Sequence, residues 1–144
     1  MKKNIVKTFA LILVLIIVFS IPAFSVPAYA RYSDYIDSYL AYLYSPNSNT
    51  VQVWFELKAN YTSDKVGVTT IILQVSDDLE NWENVGTYKD DDYPHLMASN
   101  TIGLDSHISV SVEPGHYYRA GLVFYVERDG GSDTRFYDTE PIWI

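Results

Sequence analysis

The chain has 144 residues, a net charge of −8, 15% aromatic residues and no cysteine. Without cysteine, disulfides, thiol catalysis, thiolate metal sites and lipid attachment through an N-terminal cysteine are all excluded. An acidic chain with no basic patch also argues against nucleic-acid and anionic-membrane binding, both of which depend on Lys and Arg.

The first thirty residues have the order that export requires. Lys2, Lys3 and Lys7 form a basic start, Phe9 to Ile21 is apolar except for Ser20, and Ala28-Tyr29-Ala30 is a small-x-small cleavage site. The apolar run is shorter than the ~20 residues of a spanning helix and is closed by Pro22 and Pro27, so a signal peptide over 1–30 is predicted rather than an anchor. The mature chain then covers 31–144, enough for one domain, and is expected to be secreted, extracellular and monomeric, with no membrane attachment after cleavage. Loss of the three lysines takes its net charge to −11, which suits solubility.

Along the mature chain, apolar residues alternate with period two and never recur at helical spacing, which predicts an all-β fold. Ile36 to Tyr44 is a Tyr- and Leu-rich strand ending at the turn cluster Ser45-Pro46-Asn47-Ser48-Asn49. Val51 to Leu57 alternates cleanly, with Val51, Val53, Phe55 and Leu57 inward and Trp54 on the opposite face. A loop is expected over Lys58 to Gly67. Val68 to Val75 is β-branched almost throughout, as in a central strand covered on both faces.

Further strands are predicted at Trp82–Tyr88, Ile108–Val112, Tyr117–Val126 and Thr134–Tyr137, with Lys89 to His107 as a long irregular connection of the kind that often carries function. Seven short strands over about 100 residues predict a single seven-stranded antiparallel β-sandwich of fibronectin type III-like architecture. In the sixth strand Tyr118, Ala120, Leu122, Phe124 and Val126 share the inward face, and Tyr117, Arg119, Val123 and Tyr125 the outward one. Tyr118, just after Pro114-Gly115, stands where such sandwiches carry a tyrosine corner, whose hydroxyl turns back to the upstream chain.

Three blocks carry a resemblance: Tyr35-Ile36-Asp37-Ser38-Tyr39; Asp92-Tyr93-Pro94 with Leu96-Met97 and Asn100-Thr101; and Tyr118-Arg119-Ala120 with Phe124-Tyr125 and Asp129 to Arg135. In this order they look like a family of small secreted bacterial proteins of unknown function with a fibronectin type III or immunoglobulin-like sandwich. The resemblance implies fold and export, and it carries over no catalytic residue.

No chemistry-bearing motif is present. His95, His107 and His116 have no partner at a telling spacing, and neither a Gly-x-Ser-x-Gly elbow nor a His-Glu-x-x-His helix occurs, so the protein is read as non-catalytic. Acidic groups at Asp77-Asp78-Glu80, Asp90-Asp91-Asp92 and Asp129-Asp133 invite calcium, but Asp129 to Glu140 lacks the ligand and glycine positions of an EF-hand, and a hairpin turn at Asp129-Gly130-Gly131-Ser132-Asp133 is the simpler reading. No cofactor is expected.

Aromatics are the strongest compositional signal, eighteen of the residues from Arg31 onward. Outward Trp54, Tyr117 and Tyr125 could form a sugar-stacking platform, while Tyr and Trp are also favoured on pleated surfaces without any ligand. Trp82 is read as a plug against the turn at Asp77 to Asn81. The function expected is binding: of an extracellular or cell-envelope protein, through loops such as that bearing Tyr93, His95 and Asn100 or by strand addition, or alternatively of a polysaccharide through the aromatic face. A secreted toxin or antagonist is a third alternative.

Overall fold

The computed structural model describes residues 33–144; the predicted signal peptide, residues 1–30, lies outside them. Among the described residues most are in strands: β1 (Ile36–Asn47), β2 (Thr50–Ser76), β3 (Glu83–Lys89), β4 (Met97–Ser111), β5 (Tyr117–Arg128), β6 (Gly131–Asp138) and β7 (Ile142–Trp143), with one 3-10 turn at Pro94–Leu96. All pairings are antiparallel and form one hydrogen-bonded sheet, open and curled. Among the described residues no helix is long and apolar enough to cross a membrane.

Two expectations are corrected here. Val51–Leu57 and Val68–Val75 are not separate strands, because the Lys58–Gly67 segment predicted as a loop is strand throughout and joins them into β2. The long irregular connection is also largely strand: only the turn residues and Pro94–Leu96 interrupt the chain before β4 starts at Met97. The period-two pattern was hidden in the first stretch because the buried face of β2 changes parity. In β2 the buried set runs Val51, Val53, Phe55, Leu57, Ala59, then Val66 and Val68, then Ile71 and Leu73. The changes coincide with register shifts between Lys58 and Ser63 and between Val68 and Thr70, where extra residues bulge from the ladder and bend the strand.

β2 organises the domain by changing neighbours along its length. Residues 50–59 lie between β1 and β4, while residues 70–76 lie between β3 and β5, with β6 and β7 beyond β5. β2 and β4 turn the corner between these halves together, and Asn100 adopts φ 53, a left-handed conformation that Asn tolerates better than most residues. The sharpness of that corner is visible across β4. His95 Nε2 donates to the His107 carbonyl at 3.1 Å, although twelve residues of straight strand would separate them by about 40 Å.

The fold-back brings the two inner faces together. Phe55 meets Phe124 edge to face at 6.2 Å, Tyr39 reaches Phe124 at 5.1 Å and Tyr137 at 6.0 Å, and all five predicted inward residues of β5 are buried. The outer face of Val68–Val75 is not covered as expected: Ile72 and Gln74 are half-buried. The core closes within one compact unit, residues 32–144.

Two local devices fix the ends of β5. Tyr118 Oη donates to the Glu113 carbonyl at 2.7 Å, as the tyrosine-corner reading expects, and burial pushes the phenol's pKa up. Asp129 and Gly130, at φ 51 and 78, make the two-residue hairpin turn to β6, the primed type that matches strand twist. The turn is shorter than the predicted Asp129–Asp133 because Gly131 already pairs with Arg128.

Candidate binding surface

The outward face of the β1–β2–β4 half is laid out by register. Tyr42 pairs with Trp54 and Trp54 with His107; on one side lies the row Tyr44, Gln52, Ser109, and on the other Leu40, Glu56, Asp105. Trp54 and His107 stack with centroids 4.2 Å apart and planes 17° off parallel, and Tyr42 lies parallel to Trp54 at 6.5 Å and 5°. Gln52 Oε1 accepts from Trp54 Nε1 at 3.0 Å and holds the indole upright. Leu40, Tyr42 and Tyr44 are 49%, 50% and 53% exposed, so the edge strand β1 presents a contiguous apolar strip beside Trp54.

That geometry determines what Trp54 can offer. One face of its indole is taken by the His107 ring, and the other looks toward Tyr42.

The structure does not gather Trp54, Tyr117 and Tyr125 into one platform. They occupy three separate cross-strand rows: Trp54 with Tyr42 and His107, Tyr117 with Ser76 and Trp143, and Tyr125 with Gly67 and Thr134. Eight residues of β5 separate the two tyrosines, about 27 Å. Each also has a local partner. Tyr117 meets Trp143 edge-on at 4.7 Å, and Tyr125 Oη donates to Glu127 at 2.8 Å. Glu127 also receives Lys65 at 3.2 Å; the Tyr125 and Lys65 bonds hold its carboxyl below the usual range, while the same carboxylate raises the pKa of both donors.

Of the residues expected in the loop, Tyr93 and His95 come together and Asn100 stands apart at the corner. Tyr93 packs edge-on between Tyr88 at 5.5 Å and His95 at 6.1 Å, and His95 closes on the β4 edge at His107. His95 and Trp54, assigned to different surfaces from sequence, are therefore linked through His107. His107 itself and the strip Leu40, Tyr42, Tyr44 were missed. The available signal was the alternation in β1, where Ala41 and Leu43 are buried and the positions between them are large and apolar as well.

A second concavity opens at one end of the sheet, about 670 Å³ in volume, bounded by Val75, Val85, Val112, Tyr118 and the carboxylates Asp77, Asp78, Glu83 and Glu113. His116 Nδ1 pairs with Asp77 Oδ1 at its mouth, a partnership across 39 positions that no spacing could reveal. Asp78 is occupied in closing its own turn. It accepts from the Glu80 and Asn81 amides at 2.9 and 2.8 Å and from Asn81 Nδ2 at 2.7 Å, which depresses its pKa well below the carboxylate range. Asp129 and Asp133 are likewise engaged, by Arg128 and Arg135. Among the described residues no three His, Asp or Glu side chains are grouped to hold a metal ion. Trp82 lies against the turn as expected, its Nε1 donating to the Leu79 carbonyl at 3.3 Å, with Arg119 over its ring at 4.2 Å.

No family model and no curated protein matches the chain. Among solved structures, a crystal structure of a protein from Archaeoglobus fulgidus is similar at 8% identity over 74% of this chain and 94% of that chain, with a TM-score of 0.35.

Proposed function

We propose that this chain is an exported, non-catalytic recognition domain that engages a protein at or outside the cell envelope, through the outer face of β1, β2 and β4. The observation that carries the reading is the half-exposed strip Leu40, Tyr42, Tyr44 beside the Trp54–His107 stack. Tyr and Trp on a rigid sheet bury large area at small entropic cost, and such residues dominate protein interfaces. The polysaccharide alternative draws less support, because the three rings it invoked, Trp54, Tyr117 and Tyr125, lie in separate rows and His107 takes one face of Trp54. Export rests on the basic, apolar and small-residue order of residues 1–30.

The same proposal takes the curled sheet as a fibronectin type III-like sandwich. In its support, β1, the first half of β2 and β4 make a three-stranded layer, and β3, the second half of β2, β5 and β6 make a four-stranded one. The Tyr118–Glu113 hydrogen bond fits the corner found in such sandwiches.

The test is retention of residues 31–144 on isolated cell envelopes before and after protease treatment, and on insoluble polysaccharides. Retention abolished by protease, and by Tyr42→Ser, is the expected result. Retention that survives protease and is competed by a soluble polymer fragment would overturn the reading in favour of glycan binding.

A further inference from the structure

Resting on the reading of this face as a protein-binding surface, we propose that its occupant is a basic amphipathic segment, one that sets Lys or Arg next to apolar side chains. The apolar strip and the Trp54 stack are bordered on one side by two exposed carboxylates, Glu56 and Asp105, which stand directly opposite each other across β2 and β4. Like charges facing each other in a cross-strand pair oppose folding, so this pair works against the sheet that carries it. No Lys or Arg occupies the three rows from Leu40–Glu56–Asp105 to Tyr44–Gln52–Ser109. Lys58, in the adjoining row, pairs with Asp37 at 3.6 Å.

Charge complementarity then selects the partner. A cation placed between Glu56 and Asp105 relieves their repulsion, and its neighbouring apolar side chain falls about 7 Å along the strand, one row on, at Tyr42 and Trp54. A neutral sugar can donate hydroxyls to the carboxylates but brings no charge to offset their repulsion, and a phosphate- or uronate-bearing polymer is repelled by them and by the chain's net charge of −8. A basic segment is therefore the ligand class that satisfies both parts of the surface.

Fluorescence anisotropy of residues 31–144 with a labelled Lys-Ser-Leu-Ser repeat, which when extended sets Lys and Leu two residues apart on one face, and with its Glu-Ser-Leu-Ser counterpart, tests this. The Lys peptide is expected to bind, and the Glu peptide to bind far more weakly. The double variant Glu56→Gln, Asp105→Asn should weaken the Lys peptide about tenfold, as should about 1 M salt, where the screening length falls to ~3 Å. Asp91→Asn with Asp92→Asn removes the same number of exposed charges elsewhere and should leave affinity unchanged. Because the first variant relieves a repulsion, its Tm should not fall, which separates lost binding from lost fold. Equal binding of both peptides, abolished by Tyr42→Ser, would overturn the inference and leave the surface assignment standing. Binding insensitive to both the Glu56/Asp105 and Tyr42 changes, or no binding of the Lys peptide, overturns the inference as well; the insensitive case also counts against the face itself.

Discussion

Trp54 and Phe55 are consecutive in β2 and face opposite ways, so truncating each in turn separates the surface from the core. Phe55 is fully buried and packs edge-on against Phe124 at 6.2 Å. Phe55→Ala should cost about 3–5 kcal/mol, the lost transfer of the ring plus the cavity it leaves. Trp54→Ala loses a surface stack on His107, worth about 0.5–1.5 kcal/mol, and a part-buried bond to Gln52 of small net value. Its total should be about 1 kcal/mol. Equilibrium urea denaturation followed by circular dichroism reads both, since neither substitution removes the β-sheet signal. With a slope of about 1.5 kcal/mol/M for a domain of this size, Phe55→Ala should lower the midpoint by roughly 2–3 M and Trp54→Ala by less than ~1 M. Comparable losses, or a larger one for Trp54, would mean that the face assignment of β2 is wrong and that the aromatic row belongs to the core.

Tyr118→Phe keeps the buried ring and deletes the donor to Glu113; it should cost about 1 kcal/mol, seen as a Tm drop of about 4 °C or more in calorimetry, and an unchanged Tm would remove the corner from the account. Gly67→Ala should be more damaging than a surface change of that size, by about 1–3 kcal/mol, because an added Cβ there runs into the Leu96 carbonyl and the Met97 backbone where the chain crosses β2; chemical denaturation checks it. Asp78 has a depressed folded pKa, so its stabilising contribution is present above its unfolded value near 3.8 and is lost as pH falls below it. Asp78→Asn should therefore flatten the decline of Tm below about pH 4, and an identical acid profile for the variant would show that its turn is not linked to protonation.

Much of the architecture was legible because burial imposes period two wherever a strand keeps one face inward. Val51 to Leu57 and Tyr118 to Val126 obey it without a break, and their inward residues are those in the core. Reading failed where a bulge exchanged the faces. The corner at residues 59–64 and the shift at Thr69 break the parity of β2, so one long strand resembled two strands and a loop. In β4 only Ile108 is buried, so there was little alternation to read. The site was less legible for a different reason. Trp54 was recognisable as outward from its own strand, but what covers its ring is a residue 53 positions away, His107, placed by register alone. Tyr117 and Tyr125 were equally well recognised as outward, yet facing outward did not determine which rows they share. His116 and Asp77 met only through the closure of the domain end.

The most direct measurement is site-specific photo-crosslinking in the native envelope, with a photoreactive phenylalanine at position 44 on the β1 strip and, as the contrast, at position 87 on β3. The account predicts a discrete protein adduct from position 44, absent from position 87 and lost when Tyr42→Ser is added. Adducts from position 87 alone, or equal adducts from both positions that ignore the Tyr42 change, would contradict the claim that the outer face of β1, β2 and β4 is where this domain meets its partner.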